Sequence, residues 1–447
     1  MRYQKAFIST LVFLALMAGG APLWAQTPKE AYLTFKDALK RISESSRAVK
    51  ISRKGTEINH EDVNRARSAL LPQVTADAGR QHFVYQPSAV FGAQKVFTSQ
   101  KDFNFAEIRA YQTLYDFGLN SSNLKAAHEL ETSAHNDAER ASNQSTLEFI
   151  ALYFDLLESD KLIVVAKEEL TSLASHLKDI SVLFREGVVT KNEFLTVRVK
   201  FGQAREKVLA LKNLRKVQVT KLCSLLSLDD GLILSVEDPA VAPADTLKVE
   251  DAVFAALMRR PELKGLDSAI GASRFREEAN RSSNYPALFT NGGYNYAQNR
   301  YQGRNDNWDV ELGVKFNVFN GGLTRAEVVK EKKHGEALAE QKKKLEEDIR
   351  VEVERAYWEL KNSKEKVRVA TTSVAQAREN LRVNRVQYRE GASSSTQVLD
   401  AIALVTGAET DLWRGTYETK RAWARLLYSM GKDLDTSFLE TPDRREL

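Results

Sequence analysis

A single cysteine, Cys223, among 447 residues excludes an internal disulfide framework, and its place in the helical pattern KLCSLLSL marks it as a core residue. Histidine and methionine, 6 and 4 residues, are thinly scattered and give no hint of a metal centre or of a metal-efflux role, and no cofactor is expected. Charge of one sign is missing too. Lys and Arg total 65, Asp and Glu 60, and the two signs interleave, so no basic tract points to nucleic acid. HELE, beginning at His128, lacks the second histidine of a zinc-protease helix, and neither a nucleophile elbow nor a phosphate-cradling glycine loop occurs. The sequence therefore does not read as an enzyme. Proline is rationed: 9 in all, with none between Pro286 and Pro442, so helices can run there unbroken. After residue 25 no window of about 18 uncharged apolar residues remains to cross a bilayer as a helix.

What is present begins with the N-terminus. MRYQK carries Arg2 and Lys5, FISTLVFLALMAG is apolar, and Leu-Trp-Ala closes at Ala25 before polar TPKE. This is the layout of a secretory signal peptide over residues 1–25, a mature chain starting at Gln26, and no cysteine there to take a lipid. A single membrane anchor is the other reading. With 43% apolar and 28% charged residues, the remaining 26–447 form a folded chain.

That chain repeats. FREGVVTKNEFL at 184–195 returns as YREGASSSTQVL at 388–399, and LYDFGLN at 114–120 returns as VFNGGLT at 318–324, both displaced by 204 residues. LLPQV around Pro72 and NYPALF around Pro286 are displaced by 214. The first copy is thus longer near its start, and QPSAVFGAQKVFTSQKD at 86–102 reads as a loop that absorbs the insertion. Two repeats follow, about 34–228 and 248–431, joined by an irregular segment at about 229–248.

Between the landmarks the period is helical. From Leu345 through Ile349, Val353, Ala356 and Leu360 to Tyr388, in steps of four and three, 11 of 13 positions are apolar or aromatic. The same positions in the first copy score alike. Each copy thus predicts a helix, about 119–186 and 323–390, roughly 100 Å long and nearly straight because the mean step is about 3.6. Shorter helices at 190–228 and 395–430 run back, continued end to end by 262–284 and 34–70.

Ahead of each long helix the period changes to 2. In WDVELGVKFNVF at 308–319, Trp308, Val310, Leu312, Val314, Phe316 and Val318 share one face, and Asp309, Glu311, Gly313, Lys315 and Asn317 the other. Hairpins are expected at about 74–115 and 287–319. Strands with one oily and one wet face fit a membrane barrel or a soluble sheet packed on a helix. In a bilayer, four strands cannot close by themselves, so a membrane sheet would have to be shared among copies.

ARSALLPQV, RRPEL at 259–263, FNGGLT, YREGASSSTQVLDA and LLYSMG, in this order, resemble the TolC-like outer-membrane efflux proteins over nearly the whole mature chain. The resemblance implies an α+β membrane protein: two tandem repeats of a β-hairpin plus long antiparallel helices, in a homotrimer. Its strands would form one 12-stranded β-barrel in outer-membrane lipid, continued by a periplasmic α-helical barrel. It implies the exit duct of a tripartite efflux pump, with a periplasmic adaptor and an inner-membrane transporter as partners. The duct of a type I protein secretion system is the alternative, and a periplasmic coiled-coil adaptor protein a more distant one. Gly187 and Gly391, with Arg185 and Arg389 beside them, would form the periplasmic tip that meets the adaptor. The arginines could equally cap helix C-termini. For the gate, Tyr388 and Asp400 match the tyrosine and inner aspartate of relatives, and Glu193 supplies an acid in the first copy. Gln397 replaces a second aspartate and Ser393 the arginine of a latch, so this chain departs from its relatives at both positions.

Overall fold

The computed structural model describes residues 30–438 except 230–231, 242 and 244–246; the expected signal peptide lies outside the described residues. In chain order the elements are β1 (Glu30–Leu33), α1 (Phe35–Ser45), α2 (Arg47–Ser68), β2 (Gln73–His82), β3 (Ser88–Phe91), β4 (Gln94–Phe97), β5 (Asp102–Tyr115), α3 (Leu119–Arg185) and α4 (Lys191–Leu225). The second half holds β6 (Ile233–Val236), α5 (Val249–Arg259), α6 (Pro261–Ser282), β7 (Ala287–Ala297), β8 (Asp306–Lys315), α7 (Leu323–Arg389), α8 (Ser395–Ser429) and α9 (Leu434–Ser437).

The long helices α3 and α7 have 67 residues each, and the return helices α4 and α8 have 35 each. At about 1.5 Å per residue these are about 100 and 50 Å. The displacement of 204 recurs in every one of their ends. No proline interrupts them, and the buried side chains of α7, among them Ile349, Val353, Ala356 and Leu360, are the periodic stripe of the sequence. The opposite return is broken: Arg260 turns the chain between α5 and α6, and Pro261 fills the first position of α6, where a missing N–H costs nothing.

Midway along the helices lies the larger core. Phe35 packs edge-on against Tyr153 at 5.0 Å and contacts Phe149, Phe154 and Phe438. Each such pair adds about 0.5 to 1.5 kcal/mol beyond the area it buries. The irregular crossing segment is pinned here: β6 pairs in parallel with β1, Tyr153 donates to the carbonyl of Glu237 at 2.7 Å, and Tyr417 to Asp238 at 2.9 Å. Cys223 is buried in this core.

At one end of the helices, β2, β5, β7 and β8 form a four-stranded antiparallel sheet in that order. Two details differ from expectation. The insertion at 86–102 is a small hairpin of its own, β3 with β4, rather than a loop. And β8 stops at Lys315, so Phe316 and Val318 lie beyond it. Lys315 faces Ala287, and the next partner would be Pro286, which has no N–H to offer the ladder.

Candidate functional site

Strand register sorts the sheet into two faces. On one, Arg109 and Asp309 sit in a row across Gly293. Arg109 donates to Asp309 at 3.0 Å and also pairs with Glu107, while Asn295 donates to Asp309 at 2.6 Å. Gly293 makes room: a Cβ there would come within 2.7 Å of the Ile108 carbonyl oxygen. The other face is apolar and uncovered. Trp308 is 76% exposed and Val310 85%, with Leu312 and Val314 exposed beside them, and Tyr294 packs on Trp308 at 5.0 Å. Among the described residues, both outer strands, β2 and β8, keep one edge without a partner.

The far ends of the helices form the tip. After α3 and α7, Gly187 and Gly391 adopt φ of +74° and +72°, the left-handed conformation that ends a helix and reverses the chain. Arg185 donates to the carbonyl of Ser181 at 3.2 Å, closing the last turn of α3, and Arg389 ends α7. The return helices start alike. Thr190 accepts from the N–H of Glu193, and Ser394 from that of Gln397, whose side chain accepts in turn from the Ser394 N–H at 2.9 Å. Glu193 and Gln397 thus occupy the same capping position, and Ser393 donates to Gln397 at 2.8 Å. None of these four bonds crosses to the other helix pair.

Asp400 is exposed on α8, in a groove also lined by Glu169, Lys200 and Lys207, with Lys207 bonded to Glu169 at 2.8 Å. Tyr388 is half-buried, and its hydroxyl is enclosed with no hydrogen-bond partner among the described residues. Burial pushes its pKa up, and Glu193 and Asp179 push the same way. The residue that sequence reasoning missed lies against it. His176 of α3 is buried, its Nε2 is 2.8 Å from the Ser395 hydroxyl at the start of α8, and its ring meets the Tyr388 ring edge-on at 5.2 Å. His176 stands three residues after Leu173 and four before Ile180, a spacing that puts all three on one buried face, although the position matched by the repeat is its neighbour Leu177.

Among the described residues no group of three or more His, Cys, Asp and Glu is placed to hold a metal, although His60 and His128 both contact Glu131.

The profile of the outer membrane efflux protein family matches residues 38–227 and 253–432, one match per repeat. The chain belongs to that family. This outer membrane efflux protein is 22% identical to the outer membrane efflux protein BepC of Brucella suis over 431 residues, 93% of this chain and 90% of that one. To the alkaline protease secretion protein AprF of Pseudomonas aeruginosa it is 24% identical over 274 residues, 58% of this chain and 55% of that protein. Among solved structures, VceC of Vibrio cholerae superposes with a TM-score of 0.76 at 12% identity, covering 89% of this chain and 95% of that one. CmeC of Campylobacter jejuni gives 0.75 at 13%, covering 88% and 85%. Likeness at these identities speaks to the fold of the efflux protein, with its mostly helical body and its few strands.

Proposed function

We propose that three copies of this outer membrane efflux protein share their sheets in a 12-stranded barrel and pass substrate outward, as the exit duct of a tripartite pump. One observation carries the reading: a four-stranded sheet, apolar and uncovered on one face, with two edges free among the described residues, sits at the end of helices about 100 Å long. Unpaired backbone groups are tolerated in lipid only if another strand takes them, so the two edges call for a partner with the same two edges. The polar row of Arg109, Asp309 and Asn295 would then face water inside the barrel, and Trp308 to Val314 the lipid. At the other end the turns at Gly187 and Gly391 would meet a periplasmic adaptor, which couples the duct to an inner-membrane transporter. Nothing in this chemistry calls for catalysis.

The exposed Asp400 supports a place at the narrow end of the duct, where three copies would make one carboxylate ring. Purified protein in a planar bilayer tests the reading. A steady ion conductance, blocked by a trivalent cation from the periplasmic side in the wild type and unblocked in Asp400→Ala, is the expected result. Block that survives this substitution and vanishes with Glu193→Gln would move the ring to the other turn. A monomer that never conducts would end the duct reading. A second reading, the outer-membrane duct of a type I protein secretion system, rests on the match to a protease secretion protein. Secretion of a folded reporter protein by cells carrying the chain would favour it.

A further inference from the structure

The tip consists of two helix pairs. α4 lies on α3 and α8 on α7, and the seam between the pairs is made by α3 and α8. Much of this seam is apolar: Leu173 and Ile180 meet Val398, Leu399 and Ile402 in a small core. Nearer the middle of the molecule Arg421 of α8 bonds Asp155 and Glu158 of α3 across it, and at the tip two polar side chains are set into it. His176 is 5% exposed and Ser395 2%, and the bond between them joins the two pairs at the first residue of α8. Tyr388, on α7, leans its ring on the same imidazole. The residues expected at a latch, Ser393 and Gln397, are used up in capping α8 itself.

We propose that His176 is the positioning residue of the gate, holding α8 and Tyr388 against α3 while its ring is neutral and releasing them when the ring takes a proton. The proposal deepens the duct reading and rests on it. The Ser395 hydroxyl can accept from a charged ring as well as from a neutral one, so the bond is not what is lost. What changes is the cost of enclosing a cation whose one bonded partner is a neutral hydroxyl. The charged neighbours divide: Asp179, on α3, favours the cation; Arg385, on α7, opposes it; on α4, Glu193 faces the Tyr388 side of the cluster. Burial outweighs them and lowers the pKa of His176 from its ordinary 6.5. A ring whose pKa is lowered in the closed seam binds its proton better when the seam opens and water reaches it. Closure is therefore stable above the ordinary histidine pKa and weakens as pH falls below it. Parting of α8 from α3 at its first turn would widen the end of the duct.

The test is the pH profile of conductance of the full chain in a planar bilayer, with the periplasmic side taken from about pH 8 to about pH 5. The wild type should rise several-fold, with a midpoint below 6.5. His176→Gln, which can still bond Ser395 but cannot titrate, should stay low and flat. Ser395→Ala, which keeps the ring and loses its partner, should move the midpoint upward. A flat wild-type profile, or a His176→Gln profile that titrates like the wild type, would overturn the proposal. Hydrogen exchange over residues 394–405 gives a second readout that needs no conduction. Corrected for intrinsic rates, protection should fall in acid for the wild type and hold for His176→Gln; equal protection at both pH values would sink the latch even in a protein that never conducts. A protein that conducts without any pH dependence would leave the duct intact and remove only the latch.

Discussion

Gly187 and Gly391 stand 204 residues apart with φ of +74° and +72°, and each follows a helix of 67 residues and precedes one of 35. An added Cβ would meet no atom within 4 Å at either position, so any cost of a side chain there is backbone strain alone. Gly187→Ala and Gly391→Ala should each destabilise by about 1 to 2 kcal/mol, and the double variant by nearly the sum. Denaturant midpoints of the detergent-solubilised protein check this. No loss in either variant would mean that the tip can turn without the left-handed residue.

The sheet face gives the second prediction. Val314→Lys should cost about 2 to 4 kcal/mol in lipid, whereas Glu311→Lys, on the polar face, should leave stability nearly unchanged. Unfolding in lipid vesicles measures both, and equal losses would point to a soluble sheet. Gly313 is not a fair probe of the polar face. A Cβ there would come within 2.6 Å of the Phe289 ring, so any substitution tests packing as well as charge.

The third concerns the matched starts of α4 and α8. Ser394→Ala and Thr190→Ala each leave one N–H of the first turn without its acceptor and should cost about 1 kcal/mol. Ser394→Asp should restore most of the loss. A thermal melt that does not move with either alanine would show that water caps these ends equally well.

How far the sequence speaks can be read from particular residues. The step of three and four placed Leu345 through Tyr388 on one stripe, and the repeat aligned it with its partner, because a helix writes its buried face into its own sequence. Strand alternation identified Trp308 to Val314 as one face for the same reason. A period records that a side chain is buried, not what waits across the seam. His176 shares a stripe with Leu173 and Ile180, yet Ser395, its partner, is 219 residues away and sits on a different helix of the other repeat. The loop reading of 86–102 failed because four-residue strands such as β3 and β4 are too short to show a period.

Arg260 is another residue whose role only the fold displays. It is 6% exposed, bonds Glu262 at 2.9 Å and Glu352 at 2.7 Å, and lies over the Tyr428 ring, tying the break between α5 and α6 to α7 and α8. Arg260→Leu leaves Glu262 enclosed without its cation and should cost about 3 to 5 kcal/mol. Glu352→Gln should cost far less, since that side chain is 43% exposed. Equilibrium unfolding separates the two, and similar losses would show that the pair, not the enclosed charge, is what matters.

The claim on which the account turns is that the free edge of β2 in one copy pairs with the free edge of β8 in the next until three copies close. Oxidative cross-linking in native membranes tests it directly, using a Cys223→Ser chain with one cysteine scanned along β2 and one along β8. At the matching register the account predicts a covalent ladder that ends at a closed trimer. Cross-links confined within one chain, or a ladder that stops at dimer, would contradict it.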